Sequence, residues 1–484
     1  MPDLRPVAFI IGLMLVVLGA LMLLPAALGA WVRPGDALVF LITSVVTSVT
    51  GGLIALATRN ALGDGLNLRQ SFLLTTLSWV VLPAFGALPF LLNDTPLGLL
   101  DAYFEAVSGM TTTGTTILPV IEAHSAAILL WRSMLQWLGG LGIVIVALVF
   151  LPVMKVGGMQ HFRAEGFDTM GKVMPRATDI SWMLLQIYMS LTVLTVLAYS
   201  AAGMSAFDAL NHGLTTIATG GYSTRDGSIG AFGPAAQYVA IFGMWLSGLP
   251  FIRFVQLING QPGPLWRDVQ VRAYLRWSLY FIGVIVLWRL MQADLDAGLE
   301  LALRETALNT ISIMTGTGYG SADPTGWGQL PLLILLVAGF VGACTASTGC
   351  AIKVFRFLVL FEAIKAQLRQ LIHPNRVIPI HLGGRPVADE VITSVIVMFT
   401  AFVLGFGVLL ILLSLTGLDM RTAITAAWTA ICNIGPAFGP GVSENGAVDG
   451  FPAAAKVLMI IGMLLGRLEM VAVLVLLLPR FWRG

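Results

Sequence analysis

Ten runs of mostly apolar residues, each long enough to cross a lipid bilayer, constrain this chain more than anything else in it. They are residues 7–31, 36–57, 71–92, 126–153, 180–202, 235–255, 274–291, 330–361, 391–415 and 453–478. Crossing the hydrocarbon layer takes about 20 apolar residues in a helix. The backbone meets no water there, so each N–H and C=O must be paired within its own helix or within a closed barrel. Runs of this length predict an all-α integral membrane protein with ten spanning helices. Charged residues make up 11% of the 484, against about 25% in soluble domains, as faces turned to membrane lipid require. A net charge of +2, with no Lys/Arg-rich run interleaved with aromatics, argues against nucleic acid as a partner.

The run at 7–31 is longer than the 7–15-residue apolar core of a cleaved signal, so it reads as a first membrane helix. Basic residues concentrate in 155–176, 253–276 and 353–385. Arg5, Arg59, Arg69, Arg480 and Arg483 fall on the same side, whereas the opposite loops hold mainly Arg33, Arg225, Arg304 and Arg421. By the positive-inside rule both termini are cytoplasmic. Cys344, Cys350 and Cys432 lie in apolar stretches without CxxC spacing and read as small buried hydrophobes. The histidines (His124, His161, His212, His373 and His381) include no HExxH pair for a metal. His212, inside a short apolar stretch, is expected to pack or hydrogen-bond.

Four apolar stretches are too short to span: 99–110, 206–217, 301–314 and 423–432. Each lies between two full runs on the sparsely charged side and leads at once into a glycine-centred segment. A half-helix that enters and returns on one side explains this pattern. Non-helical backbone at that depth must be buried in protein or line an aqueous path. Aligned on one glycine each, the segments end in Thr112-Thr113-Gly114, Ala218-Thr219-Gly220, Gly316-Thr317-Gly318 and Asn433-Ile434-Gly435. Nine residues before the glycine stand Glu105, Asn211, Asn309 and Ala426. The glycines recur about every hundred residues, an internal period. It divides the chain into a two-helix extension (1–70) and four repeats: 71–155, 156–270, 271–387 and 388–484.

The chemistry follows from the residue types. A potassium ion entering a narrow pore sheds water, and rings of backbone carbonyls replace that water at little net cost. Successive carbonyls face one side only where the backbone alternates between unusual conformations, which glycine permits. The partly negative ends of four half-helices add to the field. A carboxylate ring would suit a divalent ion, and the aligned segments contain none. The alternative is a sodium- or proton-coupled secondary transporter of a small solute. Such folds use inverted repeats and midplane polar sites, whereas these four repeats share one orientation. No catalytic triad, metal cluster or acid pair points to an enzyme.

The segments 104–116, 210–224, 308–323 and 433–441 resemble the Trk/Ktr/HKT superfamily of potassium transporters, as do 342–355 (GACTASTGCAIKVF), 172–176 (KVMPR) and 466–469 (GRLE). The likeness runs from about residue 71 to the end, and the two extra N-terminal helices resemble the bacterial TrkH branch. It implies four membrane-pore-membrane repeats in pseudo-fourfold arrangement around one pore. Potassium would bind at the filter residues only, with no organic cofactor. It also implies a bacterial inner-membrane homodimer served by a cytoplasmic, nucleotide-binding regulatory subunit of the TrkA type. Glycine at all four aligned positions resembles the potassium-selective members, though Gly316 and Gly320 depart from the pattern in the third repeat. The gate implied by the resemblance is an intramembrane loop at Gly342, Ser347, Thr348 and Gly349, with Arg467 and Glu469 beside it. An ionisable group in mid-span costs about 2.5–3.5 kcal/mol on insertion scales, so it faces a pathway or a partner.

Overall fold

The computed structural model describes residues 3–61, 66–145, 177–292, 298–375, 378–468 and 470–483. Among them, six helices are long and apolar enough to cross a membrane: Arg5–Val32, Pro34–Ala61, Leu68–Leu92, Ser181–Ala201, Val269–Met291 and Asp389–Leu415. Large apolar side chains such as Leu53, Leu194, Leu404 and Ile411 point outward on these helices. In water they would form a sticky surface; in lipid they meet their own kind. The first two helices pack closely through small residues. A Cβ on Gly12 would lie 2.7 Å from the Gly51 carbonyl oxygen, and Ser44 Oγ donates to the Gly19 carbonyl at 2.6 Å.

Other runs expected as single spans are interrupted. Run 235–255 forms Pro234–Ser247 and Phe251–Ile258, which meet at 91°. Gly248 and Pro250 lie at the corner, where proline has no N–H to continue the ladder. Run 330–361 forms Gln329–Val341 and Val354–Ile372 around a non-helical loop. Run 453–478 forms Ala453–Arg467 and Val471–Leu476. Run 126–153 is helical over Ala126–Ile145, and its end lies outside the described residues, as do the 172–176 motif and Glu469. The all-helical expectation also misses one antiparallel ribbon, His381–Leu382 with Arg385–Pro386. Gly383 and Gly384 turn it with φ of 60° and 83°, the left-handed pair of a two-residue hairpin.

The four short stretches are half-helices: Leu99–Met110, Ala206–Ile217, Leu299–Thr315 and Met420–Cys432. Their polar starts are set by local chemistry. The Ser205 side chain accepts from the Asp208 N–H, and Asp419 accepts from Arg421 and Thr422, satisfying first-turn donors. Buried tryptophans tie the surrounding helices to one another. Trp131, on the helix following the first, donates to the Gly86 carbonyl at 2.9 Å. Trp428, within the fourth, donates to the Leu336 carbonyl at 3.1 Å.

Candidate functional site

Each half-helix ends in the same backbone figure. Two residues with positive φ flank one without: Thr112 and Gly114 (51° and 88°), Thr219 and Gly221 (51° and 78°), Gly316 and Gly318 (77° and 84°), Asn433 and Gly435 (52° and 110°). The middle residue donates its N–H five residues back into the half-helix. These bonds are Thr113 to Ser108 (2.9 Å), Gly220 to Thr215 (2.9 Å), Thr317 to Ser312 (2.8 Å) and Ile434 to Thr429 (3.2 Å). A left-handed conformation costs a non-glycine residue about 1–2 kcal/mol. Thr112, Thr219 and Asn433 all bear it at matching positions.

The four segments close a circuit. A Cβ on Gly114 would strike the Gly220 carbonyl oxygen, one on Gly221 the Thr317 oxygen, one on Gly318 the Ile434 oxygen, and one on Gly435 the Thr113 oxygen. The order is first to second to third to fourth and back to first, so the segments surround a common axis. All four of these glycines line one cavity of ≈ 600 Å³. Side chains cross-link the circuit. Thr115 Oγ1 donates to the Gly435 carbonyl at 2.7 Å, and Asn433 Nδ2 donates to Thr113 Oγ1 at 2.8 Å. Tyr319 Oη lies 2.5 Å from Thr215 Oγ1.

This geometry changes one register taken from the sequence. In the second segment the residue matching Gly114, Gly318 and Gly435 is Gly221, not Gly220. The second triad is therefore Thr219-Gly220-Gly221, and Ala218 is the residue that caps the half-helix. Two adjacent glycines look alike in sequence; only the sign of φ separates them.

The corrected register exposes a support behind the ring. The position nine residues before the glycine becomes Glu105, His212, Asn309 and Ala426. The first three each reach the strand just beyond the ring. Glu105 accepts from Thr116 Oγ1 (3.0 Å) and Ile117 N (3.0 Å). His212 Nε2 lies 3.0 Å from Ser223 Oγ, and Asn309 Nδ2 donates to Ser321 Oγ at 3.1 Å. His212 Nδ1 is 2.8 Å from the Asp208 carbonyl. That oxygen can only accept, so Nδ1 carries the proton and, in the neutral ring, Nε2 accepts from Ser223. Asn211, the residue that alignment on Gly220 selects, donates to Phe207 O within its own half-helix at 2.8 Å. Glu105 also forms a fully buried ion pair with Arg132 at 2.7 Å.

Beneath the ring runs the loop between Val341 and Val354. It carries positive φ at Gly342, Ala346, Ala351 and Lys353. Thr315 O lies 2.9 Å from where a Cβ on Gly349 would sit, so the loop touches the base of the third segment. It is pinned to the broken helix: Phe251 N donates to Ala346 O (2.8 Å), Cys344 N to Gly248 O (3.1 Å), and Thr348 Oγ1 to Ser247 O (3.2 Å). Thr345 N donates to Gln270 Oε1 at 3.1 Å. Ser347 Oγ turns inward onto Cys344 O at 2.6 Å. Arg467, 3% exposed, donates to Thr348 O and Gly139 O, both at 3.4 Å, and contacts Cys350 Sγ. No carboxylate pairs with it among the described residues.

A family model described as the cation transport protein TrkH matches residues 37–483. The chain belongs to the TrkH family. TrkI, a Trk system potassium uptake protein of Halomonas elongata, is 40% identical over 416 residues, 86% of this chain and 84% of its own. Its counterpart TrkH of Escherichia coli is 35% identical over 486 residues, 99% of each chain. The crystal structure of the potassium transporter TrkH from Vibrio parahaemolyticus matches with a TM-score of 0.91 over 100% of both chains, at 33% identity.

As a TrkH family member the chain is a multi-pass membrane transport protein, not an enzyme. Eleven of the twelve residues expected to form a filter lie in the circuit of four segments; Gly221, Arg132 and Gln136 were not among those expected. Arg132 and Gln136 are four residues apart, hence on one helix face, but the Ser223 and Gly220 carbonyls they reach are 91 and 84 residues away. In this TrkH member the His212→Ala variant is expected to lose about 1–3 kcal/mol, because it strips Ser223 of a buried partner. The detergent-solubilised variant should melt below wild type, and Ser223→Ala should melt no lower than His212→Ala.

Proposed function

We propose that this chain carries potassium inward through the ring formed by Thr112–Gly114, Thr219–Gly221, Gly316–Gly318 and Asn433–Gly435. The observation that carries the proposal is the closed circuit of glycine-to-carbonyl contacts, which sets neutral oxygens around one axis at the ends of four half-helices. The names of the relatives, potassium uptake proteins, support the choice of ion. Main-chain oxygens can replace a monovalent ion's hydration and still release it. Membrane potential supplies about 2.3 kcal/mol per charge per 100 mV, so inward flux requires no other coupling.

In this reading the chain makes ten spans in four membrane-pore-membrane repeats, with 1–70 outside them and both termini cytoplasmic. It works as an inner-membrane homodimer with a TrkA-type nucleotide-binding subunit. The loop around Gly342, Ser347, Thr348 and Gly349 blocks the pathway below the ring, and Arg467 adds a positive barrier there. Purified protein in liposomes should pass potassium in preference to sodium when the ions are exchanged. Expression should rescue a potassium-uptake-deficient cell at low external potassium when the regulatory partner is supplied. Solute uptake without potassium flux would defeat the proposal. Arg467→Ala is expected to raise basal potassium flux several-fold, since it removes the positive charge that repels a cation below the ring. Unchanged basal flux at normal protein level would remove Arg467 from the gate.

A further inference from the structure

One buried side chain outside the ring is built to hold a single segment of it. We propose that Gln136 is a positioning residue that sets ion selectivity by clamping the second segment from behind; this rests on the reading of the ring as a potassium filter. Gln136 is fully buried, and both ends of its amide are engaged. Nε2 donates to the Gly220 carbonyl at 2.5 Å, and Oε1 accepts from Tyr222 N at 3.0 Å. These two bonds straddle Gly221, the ring glycine. A primary amide offers a donor and an acceptor side by side without charge.

The helix that carries Gln136 is itself wedged in place. Three residues on, a Cβ at Gly139 would strike the Met110 carbonyl; at Gly140 one would lie 2.9 Å from Ala218 Cα. The helix therefore sits against the ends of both the first and the second half-helix, and the missing side chains set how close Gln136 comes. Arg132, one turn earlier, lies over the Tyr222 ring at 4.0 Å and donates to Ser223 O at 3.4 Å. The second segment is thus held along Gly220, Tyr222 and Ser223 by one helix of the preceding repeat. Among the described residues, no side-chain amide reaches the matching carbonyls of Thr113, Thr317 or Ile434.

Selectivity depends on where the coordinating carbonyls stand and on the field they exert. The Gly220 oxygen belongs to the ring and has two lone pairs, of which Gln136 takes one. Without the clamp the Gly220–Gly221 peptide can rotate, and Tyr222 N loses its partner. The test uses the full-length protein in liposomes, with potassium and sodium fluxes measured on the same preparations. Q136L removes both bonds. Q136M keeps the length of the side chain but offers neither the donor nor the acceptor. Both are expected to lower the potassium-to-sodium flux ratio about tenfold, the scale of one lost buried hydrogen bond. A purely structural role would lower both fluxes in proportion, and a constant ratio overturns the clamp. If Q136L does not reach the membrane, Q136M decides, being closest in length and flexibility. A wild type that passes no potassium would instead defeat the filter reading.

Discussion

Gly221→Ala should cut potassium flux at least ~100-fold while the protein still reaches the membrane. The residue has φ of +78°, which costs alanine about 1–2 kcal/mol. Steric overlap costs more: the new Cβ would collide with the Thr317 carbonyl, a main-chain atom of the neighbouring segment. No rotamer change relieves a backbone clash, so the third segment must move, and the circuit passes the displacement onward. A shift that misplaces coordinating oxygens by a few kcal/mol is enough, since each 1.4 kcal/mol is about tenfold. Gly320→Ala is the control, because nothing lies within 4 Å of a Cβ there; its flux should match wild type. Normal flux through Gly221→Ala, with intact protein, would mean that the circuit is not the pathway.

Breaking the Glu105–Arg132 pair should be the most destabilising single change in this region. Both side chains are at most 1% exposed. Arg132→Met leaves a buried carboxylate without its cationic partner, at a cost of about 3–5 kcal/mol. Arg132 also donates to Thr116 Oγ1 at 3.1 Å, so the segment leaving the first turn loosens as well. Arg132→Met is expected to melt well below wild type in detergent and to accumulate poorly. The double variant Glu105→Gln, Arg132→Met should recover part of the loss, because no buried charge remains unpaired. If the double variant were as unstable as the sum of the singles, the coupling assigned to the pair would be absent.

Much of this architecture was legible because it is local. Apolar run length identifies membrane helices one at a time, and the half-helices Leu99–Met110 and Ala206–Ile217 begin and end where the apolar runs do. The recurring glycines announced four equivalent turns. The corner at Gly248–Pro250 was missed because the run 235–255 is apolar throughout, and apolarity alone does not distinguish a straight helix from a bent one.

By itself the sequence determined a helical membrane protein with four short helices, each leading into a glycine turn, because these depend only on neighbouring residues. The tertiary structure alone decided which glycine of the Gly220-Gly221 pair enters the ring, in what order the segments meet, and that Arg132 and Gln136 brace them. Those outcomes depend on contacts such as Thr115 with Gly435, 320 residues apart. No periodicity along the chain encodes such a contact; it exists only once the helices have packed.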